Sequence, residues 1–259
     1  MAALNRTDKP PRGLPFGRGA PAPLGVAPET ARDSAGALPL QPICPWHQRK
    51  IDMNEKDLRG FLIVIEGVDG TGKSTLLRRL QADCEARGLG CVVSREPTNG
   101  VWGTRLRDSA RTGRLPLEQE LELFLLDRKE HVSGLIRPAL KKGSVVLLDR
   151  YYISSAAYQG ARGADPEEVL RRNEEFAPEP DLVFLLDCDP EQTLQRVRAR
   201  GDAADEFEKL DALRRARELF LSIKRPYIRV IDASVGADEV AGQALAILET
   251  LLSNREKGL

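Results

Sequence analysis

Phe61-Leu-Ile-Val-Ile-Glu-Gly-Val-Asp-Gly-Thr-Gly-Lys-Ser-Thr75 decides the fold. Its first five residues are apolar without interruption, as a strand is when helices cover both of its faces. Gly67 to Ser74 then fit G-x-x-x-x-G-K-[ST], and a helix is expected to open at Lys73. A glycine-rich loop between strand and helix turns backbone N–H groups toward an anion, and the helix N-terminus adds partial positive charge. Gly67, Val68, Asp69, Gly70, Thr71, Gly72, Lys73, Ser74 and Thr75 are therefore the expected cradle for nucleotide phosphates. Lys73 is expected to bridge the outer phosphates, and the Ser74 hydroxyl to ligate Mg2+. A glycine-rich turn that only links strand to helix is the bland alternative.

Further along, apolar runs alternate with amphipathic stretches. Cys91–Val93, Val145–Leu148, Leu182–Leu186 and Ile228–Ile231 read as four more strands, most of them ending at or just before an acid. Asp165-Pro166-Glu167 and Asp189-Pro190-Glu191 each place a carboxylate at a helix N-cap and proline at the first helical position. Gly88 and Lys141-Lys142-Gly143 stop the helices before them. This predicts an α/β domain, a five-stranded parallel sheet with helices on both faces, over roughly residues 59–253.

Composition narrows what such a domain does. Lys+Arg and Asp+Glu both number 39, so no overall positive field draws a nucleic acid. No apolar run approaches the ~20 residues of a membrane helix. Four scattered cysteines and two histidines argue against a zinc site and fit a reducing, cytoplasmic setting. Residues 1–52 differ in kind: they hold nine of the 17 prolines, with many Ala and Gly. They are expected to be a disordered extension. A transit peptide is one alternative. Another is that translation starts at Met53, the only other methionine, leaving the folded unit at residues 53–259.

The phosphate loop does not say what is done with the nucleotide. The guanine-reading Asn-Lys-x-Asp motif of GTPases is absent, and a small phosphotransferase remains. Asp149-Arg150 at the end of the third strand suits a metal-holding carboxylate beside a phosphate-neutralising guanidinium, or else a surface ion pair. Phe124 and Arg128, four apart, share one helix face and suit a flat base with a donor to its edge. Alone, they also suit a core Phe and a solvated Arg. Arg196, Arg198 and Arg200 open a charged segment broken by Gly201, expected to be a lid over about residues 196–210. An ordinary solvated helix is the alternative.

Together these segments resemble the thymidylate (dTMP) kinase family, nearly throughout Gly60–Leu252. The matching text adds Arg95-Glu96-Pro97, Leu123-Phe124-x-x-x-Arg128, Asp149-Arg150-Tyr151, Ser154, Tyr158-Gln159-Gly160 and Asp181-Leu-x-x-Leu-Leu-Asp187. The resemblance implies transfer of the ATP γ-phosphoryl group to dTMP with Mg2+, by a homodimer that binds neither nucleic acid nor membrane. It gives Asp69 the 3′-hydroxyl, Phe124 and Arg128 the thymine, Ser155 the base, Tyr158 the 2′ position and Arg150 the phosphates. Arg95 is given the acceptor phosphate, Gln159 the substrate pocket, Asp149 the metal, and Asp232-Ala-Ser the adenine side. Gly70 and Thr71 stand where one branch of the family has an arginine, and Glu206 where the other expects one in the lid. Catalytic duty then falls to Arg196, Arg198 or Arg200. The rivals are a kinase for another nucleoside monophosphate and a regulatory nucleotide-binding module without turnover.

Overall fold

In the computed structural model, which describes residues 60–198 and 206–256, the five expected strands all form. They are β1 (Phe61–Glu66), β2 (Cys91–Arg95), β3 (Val145–Asp149), β4 (Leu182–Asp187) and β5 (Ile228–Asp232), all parallel, in the order β2-β3-β1-β4-β5. Register aligns Ile65 with Asp149, and Asp149 with Arg95, so the acid-bearing strand ends gather at one edge. The chain passes from β1 to β2 on one side and later from β3 to β4 on the other side of β1, and ligands of open α/β sheets bind at such a switch point.

Alternation along β1 splits the core in two. Leu62 and Val64 join Val146, Leu148, Val183 and Leu185 on one face. Helices α3 (Leu117–His131), α5 (Tyr152–Gly160), α6 (Pro166–Glu174) and α8 (Glu206–Ser222) cover that face. Ile63 and Ile65 join Leu147, Phe184 and Leu186 on the other, beneath α1 (Lys73–Ala86) and α9 (Ala237–Glu256). A π-helical turn, Val132–Ile136, joins α3 to α4 (Arg137–Lys141). Helices α2 (Val101–Thr112) and α7 (Pro190–Arg198) complete the chain order. The caps act as expected: Asp165 Oδ1 accepts from Glu167 N–H at 3.0 Å and Asp189 Oδ1 from Glu191 N–H at 2.8 Å.

One expectation needs correction. Only β1, β3 and β4 are buried on both faces; β2 and β5 are edge strands, with Val93 and Val230 38% and 53% exposed. Residues 1–52 and the centre of the proposed lid, Arg200 included, lie outside the described residues. Among the described residues no helix is long and apolar enough to cross a membrane.

Candidate active site

The loop after β1 is built on glycines for steric reasons. Gly67 and Gly70 have φ of 130° and 88°, and a Cβ on either would fall 2.5 Å from a carbonyl oxygen, that of Leu186 or Thr193. The loop is thus seated between the end of β4 and α7. Lys73, at the start of α1, donates to the carbonyls of Gly67 (3.0 Å) and Val68 (2.9 Å) and lies 3.9 Å from Asp69. Burial, aided by the nearby Arg150 charge, lowers its ammonium pKa to about 8. A desolvated cation among loop carbonyls is poised to prefer phosphate oxygens.

Arg150 joins this loop to the next element. Its guanidinium donates to Gly67 O (3.3 Å), Asp69 Oδ1 (2.6 Å), Ser154 Oγ (3.0 Å) and the Tyr158 hydroxyl (3.3 Å). The guanidinium carbon also lies 5.0 Å from the Tyr158 ring centre. The backbone pays for this aim: Arg150 has φ of 72°, left-handed and strained for a residue that carries a Cβ. Burial raises the Tyr158 hydroxyl pKa, although Arg150 opposes it, so the phenol stays neutral.

Asp149 Oδ2 accepts from the Ser74 hydroxyl at 3.4 Å, while its buried Oδ1 has no partner among the described residues. An orphaned carboxylate oxygen beside a hydroxyl at the mouth of a phosphate loop fits a hard divalent cation. The described residues contain no cluster of three or more His, Cys, Asp or Glu side chains able to cage a metal.

Glu66, fully buried at the end of β1, is a residue the sequence reading left without a role. It accepts from Tyr151 N–H (2.8 Å), Ser154 N–H (3.1 Å) and the Ser154 hydroxyl, and so clamps the turn that carries Arg150. Burial raises its pKa to about 7 against the pull of Ser154 and Arg150. Between about 4.5 and 7 the folded chain then holds a proton that the unfolded chain has shed. Stability from this group is full below that window and falls as pH rises through it, by about 3 kcal/mol at most. Chemical denaturation at pH 5 and 7.5 should show this decline, and Glu66→Gln should flatten it; an equal slope in the variant would refute the assignment.

A second cluster surrounds Arg128. Its side chain is buried, not solvated, and is bound to Glu96 (Nε–Oε2 2.8 Å), Asn173 Oδ1 and Ser155 Oγ (3.2 Å). Glu96 is held from its other side by His131 Nδ1 at 2.9 Å, and His131 Nε2 meets Ser94 Oγ at 2.8 Å. Phe124, half-buried, lines one small cavity with Ser155 and Asn173. Phe124, Arg128 and Ser155 are therefore brought together as expected. Glu96, His131 and Asn173 were missed, for they carry no local motif; Glu96 stood in the Arg-Glu-Pro text with no function attached.

Other expected residues stand apart. Arg95 is exposed at the end of β2, in register with Asp149, and its side chain has no partner among the described residues. Gln159 donates to Glu120 (2.9 Å), which also receives Arg114 and Arg162, so Gln159 ties α5 to α3 rather than joining either arginine cluster. Arg196 does not sit on a free flap: it donates to the carbonyls of Ala233 (2.9 Å) and Ser234 (3.4 Å) after β5. Arg198 ends α7 with its side chain outside the described residues, as is all of Arg200.

A phosphate loop, a strand-end acid with an unpartnered carboxylate oxygen and a bridging arginine are the features of a P-loop phosphotransferase. A family model described as Thymidylate kinase matches residues 65–243. A thymidylate kinase of Xanthomonas euvesicatoria pv. vesicatoria (strain 85-10) is 53% identical over 199 residues, 77% of this chain and 88% of that relative. One from Akkermansia muciniphila is 52% identical over 185 residues, 71% of this chain and 89% of the relative. The chain belongs to the thymidylate kinase family. It is a nucleoside monophosphate kinase that uses ATP as co-substrate.

Proposed function

We propose that this site carries out the ATP-dependent phosphorylation of dTMP to dTDP with the division of labour that its two arginine clusters suggest. The observation that carries the reading lies on α5. Ser154 holds Arg150 and the adjacent Ser155 holds Arg128, so phosphate loop and flat pocket face one shared substrate. Phe124 stacks on thymine, and Arg128 and Ser155 meet its edge, while Gln159 supports the pocket indirectly by tying α5 to α3 through Glu120. Asp69 binds the 3′-hydroxyl, Tyr158 fills the 2′ position, and Arg95 reaches the acceptor phosphate.

Transfer needs little covalent help. Its demands are alignment of acceptor oxygen with the γ-phosphorus and neutralisation of charge on the migrating group. Loop N–H groups from Gly67 to Thr75 and the Lys73 ammonium hold the ATP phosphates, and Arg150 reaches between donor and acceptor. Ser74 and Asp149 would hold Mg2+, which when bound neutralises the β- and γ-oxygens. Arg196 stays at the adenine side beside Asp232-Ala-Ser, leaving Arg198 or Arg200 to close over the phosphates. Residues 53–259 form the catalytic unit, working as a homodimer in the cytoplasm.

A coupled ADP-release assay across dTMP, dUMP, UMP, CMP and dGMP tests the reading, run with and without Mg2+ and on the chain lacking residues 1–52. Preference for dTMP, Mg2+ dependence and full activity of the shorter chain are expected; turnover of UMP or CMP above dTMP would overturn the substrate assignment. In the same assay Tyr158→Ala should narrow the dTMP preference over its 2′-hydroxy analogue about tenfold or more, chiefly by improving the analogue. Equal losses on both would make Tyr158 scaffolding. Alanine at Arg198 or Arg200 should lower kcat by about a hundredfold for at least one.

A further inference from the structure

Arg128 offers five N–H donors in a rigid fork, and hydrogen bonds to buried partners engage each of its three nitrogens. Nε–H goes to Glu96 Oε2 at 2.8 Å, and Nη2 lies 2.6 Å from the same oxygen in an ion pair. An Nη2 hydrogen goes to Ser155 Oγ at 3.2 Å, and one Nη1 hydrogen to Asn173 Oδ1. The second Nη1 hydrogen has no hydrogen-bond partner among the described residues. Asn173 is itself fixed: it is 1% exposed on α6, and its Nδ2 donates to Val169 O at 2.7 Å, which turns Oδ1 toward Arg128. Without Asn173 the fork is held along one side only, by Glu96 and Ser155.

We propose that Asn173, which lines the small cavity with Phe124 and Ser155, is a positioning residue for base recognition that fixes the Arg128 fork beside that cavity, with its second Nη1 hydrogen left to meet the base. A lone, immobile donor suits a pyrimidine that presents a ring carbonyl there. A pyrimidine with an amino group at that position sets donor against donor and leaves the buried N–H unpaired. The inference rests on the reading that Arg128 meets the edge of the base.

The test is calorimetric binding of dTMP and steady-state kinetics with dTMP and dCMP on the full chain and three variants. Asn173→Ala should raise the dTMP Kd and KM about tenfold, about 1.4 kcal/mol, while kcat stays within about threefold and the ATP KM is unmoved. The preference for dTMP over dCMP should shrink with it. Asn173→Leu, which fills the volume without an acceptor, should do the same, so the outcome does not hinge on one variant folding. Asn173→Asp keeps an oxygen for Nη1 and should recover most of the dTMP affinity despite losing the Val169 bond and some Tm. If the Ala and Leu variants lower Tm but keep the dTMP Kd and the dTMP-to-dCMP ratio, Asn173 only packs α6 and the proposal is wrong. A wild-type chain with no preference between dTMP and dCMP would instead overturn the base-recognition reading, and this inference with it.

Discussion

Arg150→Ala should lower kcat about a thousandfold, about 4 kcal/mol, with a much smaller change in the ATP KM. The guanidinium joins Gly67 of the phosphate loop to Asp69, Ser154 and Tyr158, so its loss removes both a charge and the alignment of donor and acceptor. Arg150→Lys should recover little, because one ammonium cannot span four partners that a planar fork reaches together. Stability should move differently. At φ of 72° glycine is unstrained where alanine is not, so Arg150→Gly should be more stable than Arg150→Ala by about 1 kcal/mol and equally inactive. Thermal unfolding beside steady-state kinetics separates the two effects. A kcat within tenfold of wild type in Arg150→Ala would show that the charge on the migrating group is met elsewhere.

That positive φ is not legible in the sequence, and the reason is instructive. The phosphate loop, the strand runs and the Asp-Pro-Glu caps are local: each is a short string whose meaning follows from backbone geometry and the period of a strand or helix. Asp149-Arg150 is equally short, yet its work depends on Glu66, 85 and 88 residues away in the chain, holding the turn at Tyr151 and Ser154. Arg128 likewise reads as an exposed helix residue until Glu96 and Asn173, 32 and 45 residues distant, are folded against it. Family resemblance named Phe124, Arg128 and Ser155 as one site but not the buried acids and amide that aim them. Strand position fails for a related reason. Cys91–Val93 is as apolar as Val145–Leu148, and only the order of the sheet makes the first an edge and the second a centre.

The two buried ionisable groups flanking the phosphate loop together place their combined stability minimum between about pH 7 and 8. Glu66 loses stability as pH rises toward about 7, and Lys73 does the reverse in a higher window. The Lys73 pKa is lowered from 10.5 to about 8, so between these values the unfolded chain holds a proton the folded chain lacks. Stability therefore increases as pH rises from about 8 to 10.5, and at pH 7 the cost of the buried charge is fully felt. Lys73→Met removes that charge and relieves its repulsion from Arg150, while giving up hydrogen bonds to Gly67 and Val68. In nucleotide-free protein at pH 7 the variant should be more stable by about 1 to 2 kcal/mol, a gain that vanishes near pH 10. Its kcat should fall about a thousandfold or more, since no other side chain within the loop carries positive charge to the outer phosphates. Denaturation at pH 7 and 10 beside single-turnover kinetics reads both. A variant that is less stable at pH 7 would mean that the two carbonyl bonds outweigh the buried charge, and that the loop is held together by its lysine rather than strained by it.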